Sequence, residues 1–191
     1  NITQIVSGSL ANLTFGDAQL LVSDDSDMGA QINEVLQREF VKAKRNYACA
    51  LGVGEIVSIP YCVDNGLGRK IYVDTITKDR FFITGMQGSD ITQITALADV
   101  KQIDNKIYIR WTDYAIEDGV YYVRNKATQG DGEVLMDIVP DWQGIPEEVK
   151  MEGVEKLPVA IGRCPAGGKR PDDLRGLPIT FGCDSLLNNI T

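Results

Sequence analysis

The chain has 191 residues, a net charge of −8 and no histidine. Because histidine is the usual proton-transfer side chain near neutral pH and the commonest metal ligand, its absence excludes Ser–His and Cys–His catalytic pairs and His-ligated zinc or iron. Hydrophobic residues make up 43% of the chain, which is enough for a buried core, and no apolar run approaches the roughly 20 residues that a membrane-spanning helix needs.

The N-terminal region changes from a strand pattern to a helical one. Residues 2–6, 10–15 and 18–22 are short apolar runs separated by Ser/Gly and Gly/Asp clusters, which predicts three short strands. From Met28 onward, apolar residues recur at spacings of three, four and seven, which predicts one amphipathic helix over about 27–50. Such a helix must bury its apolar stripe against a sheet or against another subunit.

The next region has the composition of an antiparallel β domain. Two runs rich in β-branched residues, 55–63 and 70–77, flank a Gly/Asn loop and predict a hairpin. A third strand over 80–84 would complete a meander with them. The stretch 91–100 fits a strand or a helix, because its Thr and Ile residues favour the first and its Ala/Leu spacing the second.

Two more hairpins follow along the chain. Asp104-Asn105 predicts a tight turn into a strand over 106–112. Ile107, Ile109 and Trp111 alternate there with more polar residues, so we expect one buried and one wet face, with Trp111 packed in the core. The second hairpin pairs 119–126 with 133–139.

The C-terminal region is dominated by Pro and Gly. Residues 140–182 contain six of the seven prolines and show no sustained periodicity, and 147–151 reads at most as one helical turn or a short helix. We therefore predict a β-rich domain with one helix over 1–140, and an extended arm over 141–191 that packs on this domain or on a partner.

Acidic residues are concentrated in one part of the chain. Residues 113–155 carry eleven acidic and three basic side chains, which accounts for the whole net charge. Such a surface argues against nucleic-acid binding, since it would repel phosphates. It is either a solvated face or a docking surface for a basic partner.

Two local patterns invite comparison with ligand sites. The segment from Gly162 to Lys169 resembles a phosphate-binding loop only superficially, because Arg163 replaces the required glycine and Arg170 replaces the required Ser or Thr. The acidic run 24–27 lacks the spacing of a calcium loop. We predict that it caps the helix that follows, and we expect no cofactor and no bound metal.

Carboxylates alone can hydrolyse glycosidic bonds, so a hydrolase needs no histidine. The candidates for such a pair lie on or beside the predicted hairpins and could face one another: Glu117, Glu133, Asp113 and Asp137. Any acidic β protein offers such pairs, and solvated acids are the simpler interpretation.

The cysteines and the glycosylation sequons do not decide whether the protein is located in an oxidising or a reducing cellular compartment. Cys49, Cys62, Cys164 and Cys183 form no CxxC pair, and they allow either two disulfides or four free thiols. Three Asn-x-Thr sequons begin at Asn1, Asn12 and Asn189.

Partner contacts are expected from exposed aromatic residues beside acids and from the basic loop of the arm. Adjacent residues on a strand face opposite sides, so one of Tyr121 and Tyr122 must point outward. The interaction candidates are Tyr114, Tyr121, Tyr122, Trp142, Glu117, Asp118, Arg163, Lys169 and Arg170.

The predicted fold class is α+β, mostly β: an antiparallel sheet or partly open barrel, one packing helix over about 27–50, and a Pro/Gly-rich C-terminal arm. The function that best fits is that of a non-enzymatic structural subunit in an oligomeric assembly, bound to other protein subunits. A viral or phage virion component (capsid-associated, connector or tail protein) is the concrete version. The alternative is a secreted, glycosylated module that recognises carbohydrate or protein, and a carboxylate-dependent hydrolase comes third.

Overall fold

A computed structural model of the chain describes residues 2–15, 21–64, 69–164 and 177–178. The described residues form two helices and antiparallel sheets, so the predicted α+β, mostly β fold class is confirmed. The chain divides into two compact units. Unit 1 comprises residues 1–78 and 159–191, and unit 2 comprises residues 79–158.

The N-terminal strands predicted before residue 16 are wrong, because this segment is helix α1 (Ile2–Phe15). Ser7 and Ala11 are buried where α1 packs on the second helix. The Ser7 hydroxyl donates to the Thr3 carbonyl at 2.7 Å, so the residue that suggested a turn is accommodated inside the helix. Residues 21–22 of the third predicted strand have no regular structure.

The amphipathic helix is confirmed and runs three residues further than predicted, as α2 (Asp27–Val53). Ser26 caps its start by accepting a hydrogen bond from the Gly29 amide at 3.1 Å. Asp24 accepts from both the amide and the hydroxyl of Ser26, at 2.9 Å each, and these bonds lower the pKa of the Asp24 carboxyl. Gly54, with φ +96°, ends the helix.

Unit 1 contains a three-stranded sheet in the order β2-β1-β9, made of β1 (Glu55–Asp64), β2 (Arg69–Thr77) and β9 (Ala160–Arg163). The predicted hairpin of β1 and β2 is confirmed, and its loop lies outside the described residues. Helix α2 packs on both strands, and Leu51, Val57 and Ile59 are buried.

Unit 2 contains the larger sheet. Its strands are β3 (Phe81–Gln87), β4 (Asp90–Ile103), β5 (Lys106–Glu117), β6 (Val120–Gln129), β7 (Gly132–Val134) and β8 (Glu148–Glu152). The first five follow one another in space, and β8 pairs with the part of β6 that β7 leaves free.

Several strand predictions are corrected or decided by this sheet. The predicted meander is wrong, because β2 and β3 belong to different sheets and are separated by a 3₁₀ turn (Lys78–Arg80). The ambiguous stretch 91–100 is part of strand β4. The helical reading of 147–151 is also wrong, because this segment gains backbone pairing as β8.

The hairpin of β4 and β5 and the hairpin of β6 and β7 agree more closely with the sequence prediction than the meander does. Asp104 and Asn105 both have positive φ, 48° and 61°, as the tight turn between β4 and β5 requires. The predicted partner of β6 over 133–139 is shorter than expected: β7 ends at Val134, and two 3₁₀ turns follow (Met136–Ile138 and Pro140–Trp142).

The predicted arm is described as far as residue 164. The 3₁₀ turns bring Met136, Val139 and Trp142 onto Tyr108 and Ala127, which forms the core of unit 2. Within the arm itself, β8 joins the sheet of unit 2 and β9 joins that of unit 1. Its later part lies outside the described residues except for 177–178. The domain boundary predicted at residue 140 stays a prediction. The two compact units do not test it, because a compact unit need not be a domain that folds by itself.

No helix among the described residues has the length and apolar character needed to cross a membrane.

Candidate protein-binding surface

Strand β5 buries the face that looks more polar in sequence. Tyr108 is 6% exposed and Thr112 is also buried, whereas Ile107 is 55% exposed and Trp111 is only half-buried. The expectation that Trp111 packs in the core is therefore wrong. The reason is that the 3₁₀ turns around Trp142 cover the Tyr108 side of the sheet. We call the other side, which carries Ile107 and Trp111, the open face.

One part of the open face is an apolar stripe. Its members are Phe82, Leu97, Val100, Ile107, Ile109 and Trp111. Cross-strand pairing places Leu97 opposite Trp111 and Val100 opposite Ile109. The rings of Phe82 and Trp111 have their centroids 6.4 Å apart, at an interplanar angle of 48°. Phe82, Val100 and Ile107 are exposed, so the stripe is a hydrophobic surface on a strand-rich scaffold.

A charged ladder lies beside the stripe, towards the turn between β5 and β6. Arg124 binds Glu117 at 2.6 Å through Nη1 and Glu148 at 2.8 Å through Nε. Lys150 binds Glu148 at 3.0 Å. Both cations also lie over the ring of Tyr122, with the Arg124 guanidinium carbon 4.2 Å from its centroid.

These ion pairs shift the titration of the ladder. Hydrogen bonds from Arg124 lower the pKa of Glu117 and of Glu148, and those two carboxylates raise the pKa of Arg124. The bonds to Glu148 likewise raise the pKa of Lys150. All four side chains are therefore charged at neutral pH, and the two carboxylates are poor proton donors.

Asp113 joins the stripe to the ladder. Its carboxylate accepts from the Thr95 hydroxyl at 2.5 Å and from Lys126 Nζ at 3.2 Å. Thr95 in turn lies 3.3 Å from the Thr84 hydroxyl. Trp111 Nε1 donates to the Thr128 hydroxyl at 3.2 Å. The polar groups next to the stripe thus have partners within the sheet.

The acidic segment does not form a single acidic face. Its three cations, Arg124, Lys126 and Lys150, all lie on the open face and pair with Asp113, Glu117 and Glu148, which makes this group of six neutral. Cross-strand pairing places two further carboxylates, Glu133 and Glu152, at the margins of the face.

The tyrosine candidates separate as the strand alternation predicts. Tyr122 lies in the ladder on the open face, and Tyr121 on the opposite face is buried, so burial raises the pKa of its hydroxyl. Tyr114 is half-buried and shares the face of Tyr121. Glu117 belongs to the ladder, and Asp118 is exposed in the adjoining turn with φ 51°.

Trp142 is wrong as a surface candidate. It is 1% exposed, and its Nε1 donates to the Asp99 carboxylate at 2.9 Å inside unit 2. Arg163 lies in unit 1, where its Nε binds the fully buried carboxylate of Glu55 at 2.9 Å. Lys169 and Arg170 lie outside the described residues.

The exposed residues of the apolar stripe were missed by the sequence reading. Phe82, Val100 and Ile107 are ordinary strand residues, and strand alternation alone does not say which face is covered. The available signal was apolar residues on both faces of β5, which is unusual for a sheet with one solvated side.

Two of the carboxylate pairs proposed for hydrolysis, Glu117 with Glu133 and Asp113 with Asp137, are not brought together. Glu117 pairs opposite Val120 and Glu133 opposite Thr128, so they lie eight residues apart along β6, or about 27 Å. Glycosidase carboxyls are separated by about 5–9.5 Å. Asp113 lies on the open face, whereas Asp137 belongs to the segment that packs on the other side.

Cysteine and carboxylate side chains lie in several places within the described part of the chain. No group of three or more Cys, Asp or Glu side chains there is arranged to hold a metal ion. Cys49 is a half-buried free thiol and Cys164 a buried one. The side chain of Cys62 and residue Cys183 lie outside the described part, as do Asn1 and Asn189.

Comparison with known proteins gives no family for this chain: no protein-family model and no curated protein matches it.

Proposed function

We propose that this protein is a non-enzymatic structural subunit of a larger protein assembly, and that it uses the open face of unit 2 to bind another subunit. The concrete version is a virion component of a virus or phage (capsid-associated, connector or tail protein). The observation that carries the proposal is the apolar stripe, which leaves Phe82, Val100 and Ile107 exposed beside a ladder of ion pairs.

This combination has the anatomy of a protein interface. Interfaces combine an apolar centre with a polar rim and are enriched in Trp, Tyr and Arg. The open face supplies Trp111, Tyr122 and Arg124 next to the exposed aliphatic residues. A sheet fixes these side chains before binding, which reduces the entropy lost on association.

Unit 1 gives independent support. Helix α1 has no charged residue between Ile2 and Phe15. Ile5 and Leu13 are exposed on it although Ser7 and Ala11 are buried. A helix that is apolar on its exposed side as well as its buried side is typical of an element covered by another surface. An assembly subunit has such elements in more than one place.

The test is the native mass of the purified chain over a wide dilution series, measured by light scattering. We expect a mass above the 21.0 kDa of one chain, or a stable complex with a co-expressed subunit of the same particle. A species that stays at 21.0 kDa at every concentration, and that forms no such complex, would contradict the proposal.

The same preparation separates the proposal from its alternative. In a secreted carbohydrate-binding module, Trp111 and Tyr122 would stack on sugar rings. A monomer whose tryptophan fluorescence changes on titration with oligosaccharides, and whose Asn12 carries a glycan, would overturn the assembly proposal in favour of that module.

A further inference from the structure

We infer that the partner of the open face is the open face of a second copy of this chain. The inference rests on the proposed function and names the surface and the occupant. The six paired side chains of the ladder and the Asp113 cluster sum to zero, and Glu133 and Glu152 at the margins add only two negative charges, so the face does not select a strongly basic or a strongly acidic partner.

A copy of the same face meets this requirement. Its stripe is uncharged, and its ladder contains both signs. The chain as a whole carries −8, so two copies repel one another on average. Contact is then favoured where the negative charges are locally neutralised, and the three cations of the acidic segment all lie on the open face.

Covering the open face leaves few polar groups without a hydrogen-bond partner. Trp111 Nε1 already donates to Thr128, and Asp113 already accepts from Thr95 and Lys126. Burial of an unpaired polar group costs about 1–3 kcal/mol, whereas a group with a partner in its own sheet avoids most of this penalty. The stripe can therefore be desolvated without new hydrogen bonds from the partner.

The size of the face suits a stable dimer. Five strand positions lie side by side, and β5 has 12 residues. β3 has only 7 residues and β7 only 3, so the face is not a full rectangle. At strand spacings of about 4.8 Å and a rise of about 3.4 Å per residue, the residues of the six strands together cover roughly 800 Å². That area is close to the ~800 Å² that each partner contributes to a standard interface.

Two-fold symmetry brings the middle strands of the two sheets together, while β4 of each copy lies opposite β6 of the other. β5 is the middle strand of the order β3-β4-β5-β6-β7. An axis in the interface parallel to β5 places the hairpin end of one copy on the hairpin end of the other, so Ile107, Ile109 and Trp111 meet their own counterparts. The contact is isologous and closes on itself, and the sheets stack face to face about 10 Å apart.

Charge-swap variants test this arrangement. Ile107→Lys and Ile107→Asp each place like charges opposite one another across the two-fold axis. We expect each variant alone to have at most half of the native mass of the wild type, and an equimolar mixture to regain it, because Lys then faces Asp. Since Ile107 is 55% exposed, thermal unfolding should show that both variants remain folded.

Leu135→Asp is the matched control. Leu135 is also exposed in unit 2 but lies outside the open face, between β7 and the first 3₁₀ turn, so its variant should keep the wild-type mass. If both Ile107 variants keep the wild-type mass, or if both lose it and the mixture does not recover it, the inference is wrong. In that case a multimeric wild type, or a stable complex with a co-expressed subunit, still supports the proposed function, whereas a wild type that stays monomeric and forms no such complex removes both.

Discussion

The two tryptophans of this chain have opposite environments. Trp142 is enclosed in the core of unit 2 and donates to the Asp99 carboxylate, whereas Trp111 is half-buried on the open face. Composition alone favoured the reverse assignment, because a Trp within a regular hairpin resembles a core residue and a Trp in a Pro-rich segment resembles a surface one. The outcome depends on where the segment after β7 packs.

Replacing Trp142 by Phe should therefore destabilise unit 2. The substitution keeps an aromatic ring but removes the donor to a charged acceptor, which is worth about 1.5–3 kcal/mol. Urea unfolding at neutral pH measures the change in the free energy of unfolding. Trp111→Phe is the control and should cost about 1 kcal/mol, since its donor binds a neutral hydroxyl. Equal effects of the two variants would contradict the assignment of Trp142 to the core.

The Asp99–Trp142 bond also predicts a pH dependence. The bond from Trp142 lowers the pKa of the Asp99 carboxyl below its ordinary 3.8. A carboxyl whose pKa is lower in the folded state stabilises the protein fully above the ordinary value, and this stabilisation is lost as pH falls through the folded pKa. The difference in urea midpoint between wild type and Trp142→Phe should accordingly shrink as the pH is lowered through that range. A difference that does not change with pH would contradict this origin.

Two glycines of helix α2 distinguish the effect of close packing on stability from the effect of helix propensity. A Cβ added to Gly29 would collide with the backbone of Asp24 in the capping turn, whereas one added to Gly52 would meet nothing nearer than the Ser7 hydroxyl at 3.9 Å. Gly29→Ala should lower the free energy of unfolding by about 1–3 kcal/mol. Gly52→Ala should raise it by about 0.5–1 kcal/mol. Urea unfolding of both variants checks the signs, and two changes of the same sign would contradict the packing of this turn.

Local pattern predicted some elements and failed for others. Helix α2 and the hairpin of β1 and β2 were predictable, because periodicity, the Ser26 cap and β-branched residues all agree there. Helix α1 was not, since its Ile, Thr and Ser residues favour strands and turns, and its helix depends on packing against α2. The segment of β8 was not predictable as a strand, since it lies in a Pro/Gly-rich region without sustained periodicity, and pairing with β6 decides its conformation.

At the scale of the molecule, unit 2 is inserted into unit 1 along the chain. Strand β9 completes the sheet of unit 1 after the whole of unit 2 has intervened, and Arg163 on β9 binds the buried Glu55 carboxylate on β1. Sequence could not predict this return, because no local pattern reports pairing across so long a separation. The absence of histidine excludes imidazole-dependent catalysis, whereas the position of the exposed surface depends on the register of β5.

The open face leads to one expectation for the whole molecule. Trp111, the half-buried tryptophan, should become protected from solvent when copies of the chain assemble. Trp142 is buried at every concentration, so any change in the quenchable fraction of the fluorescence reports Trp111. No substitution is needed, and the measurement uses the native chain.

Acrylamide quenching of tryptophan fluorescence across a dilution series, with the mass followed by light scattering, tests the central claim most directly. We predict that the quenchable fraction falls as the mass rises, because the Trp111 indole becomes covered with the rest of the apolar stripe. A rise in mass with an unchanged quenchable fraction would show that the open face stays in solvent, and would contradict the account.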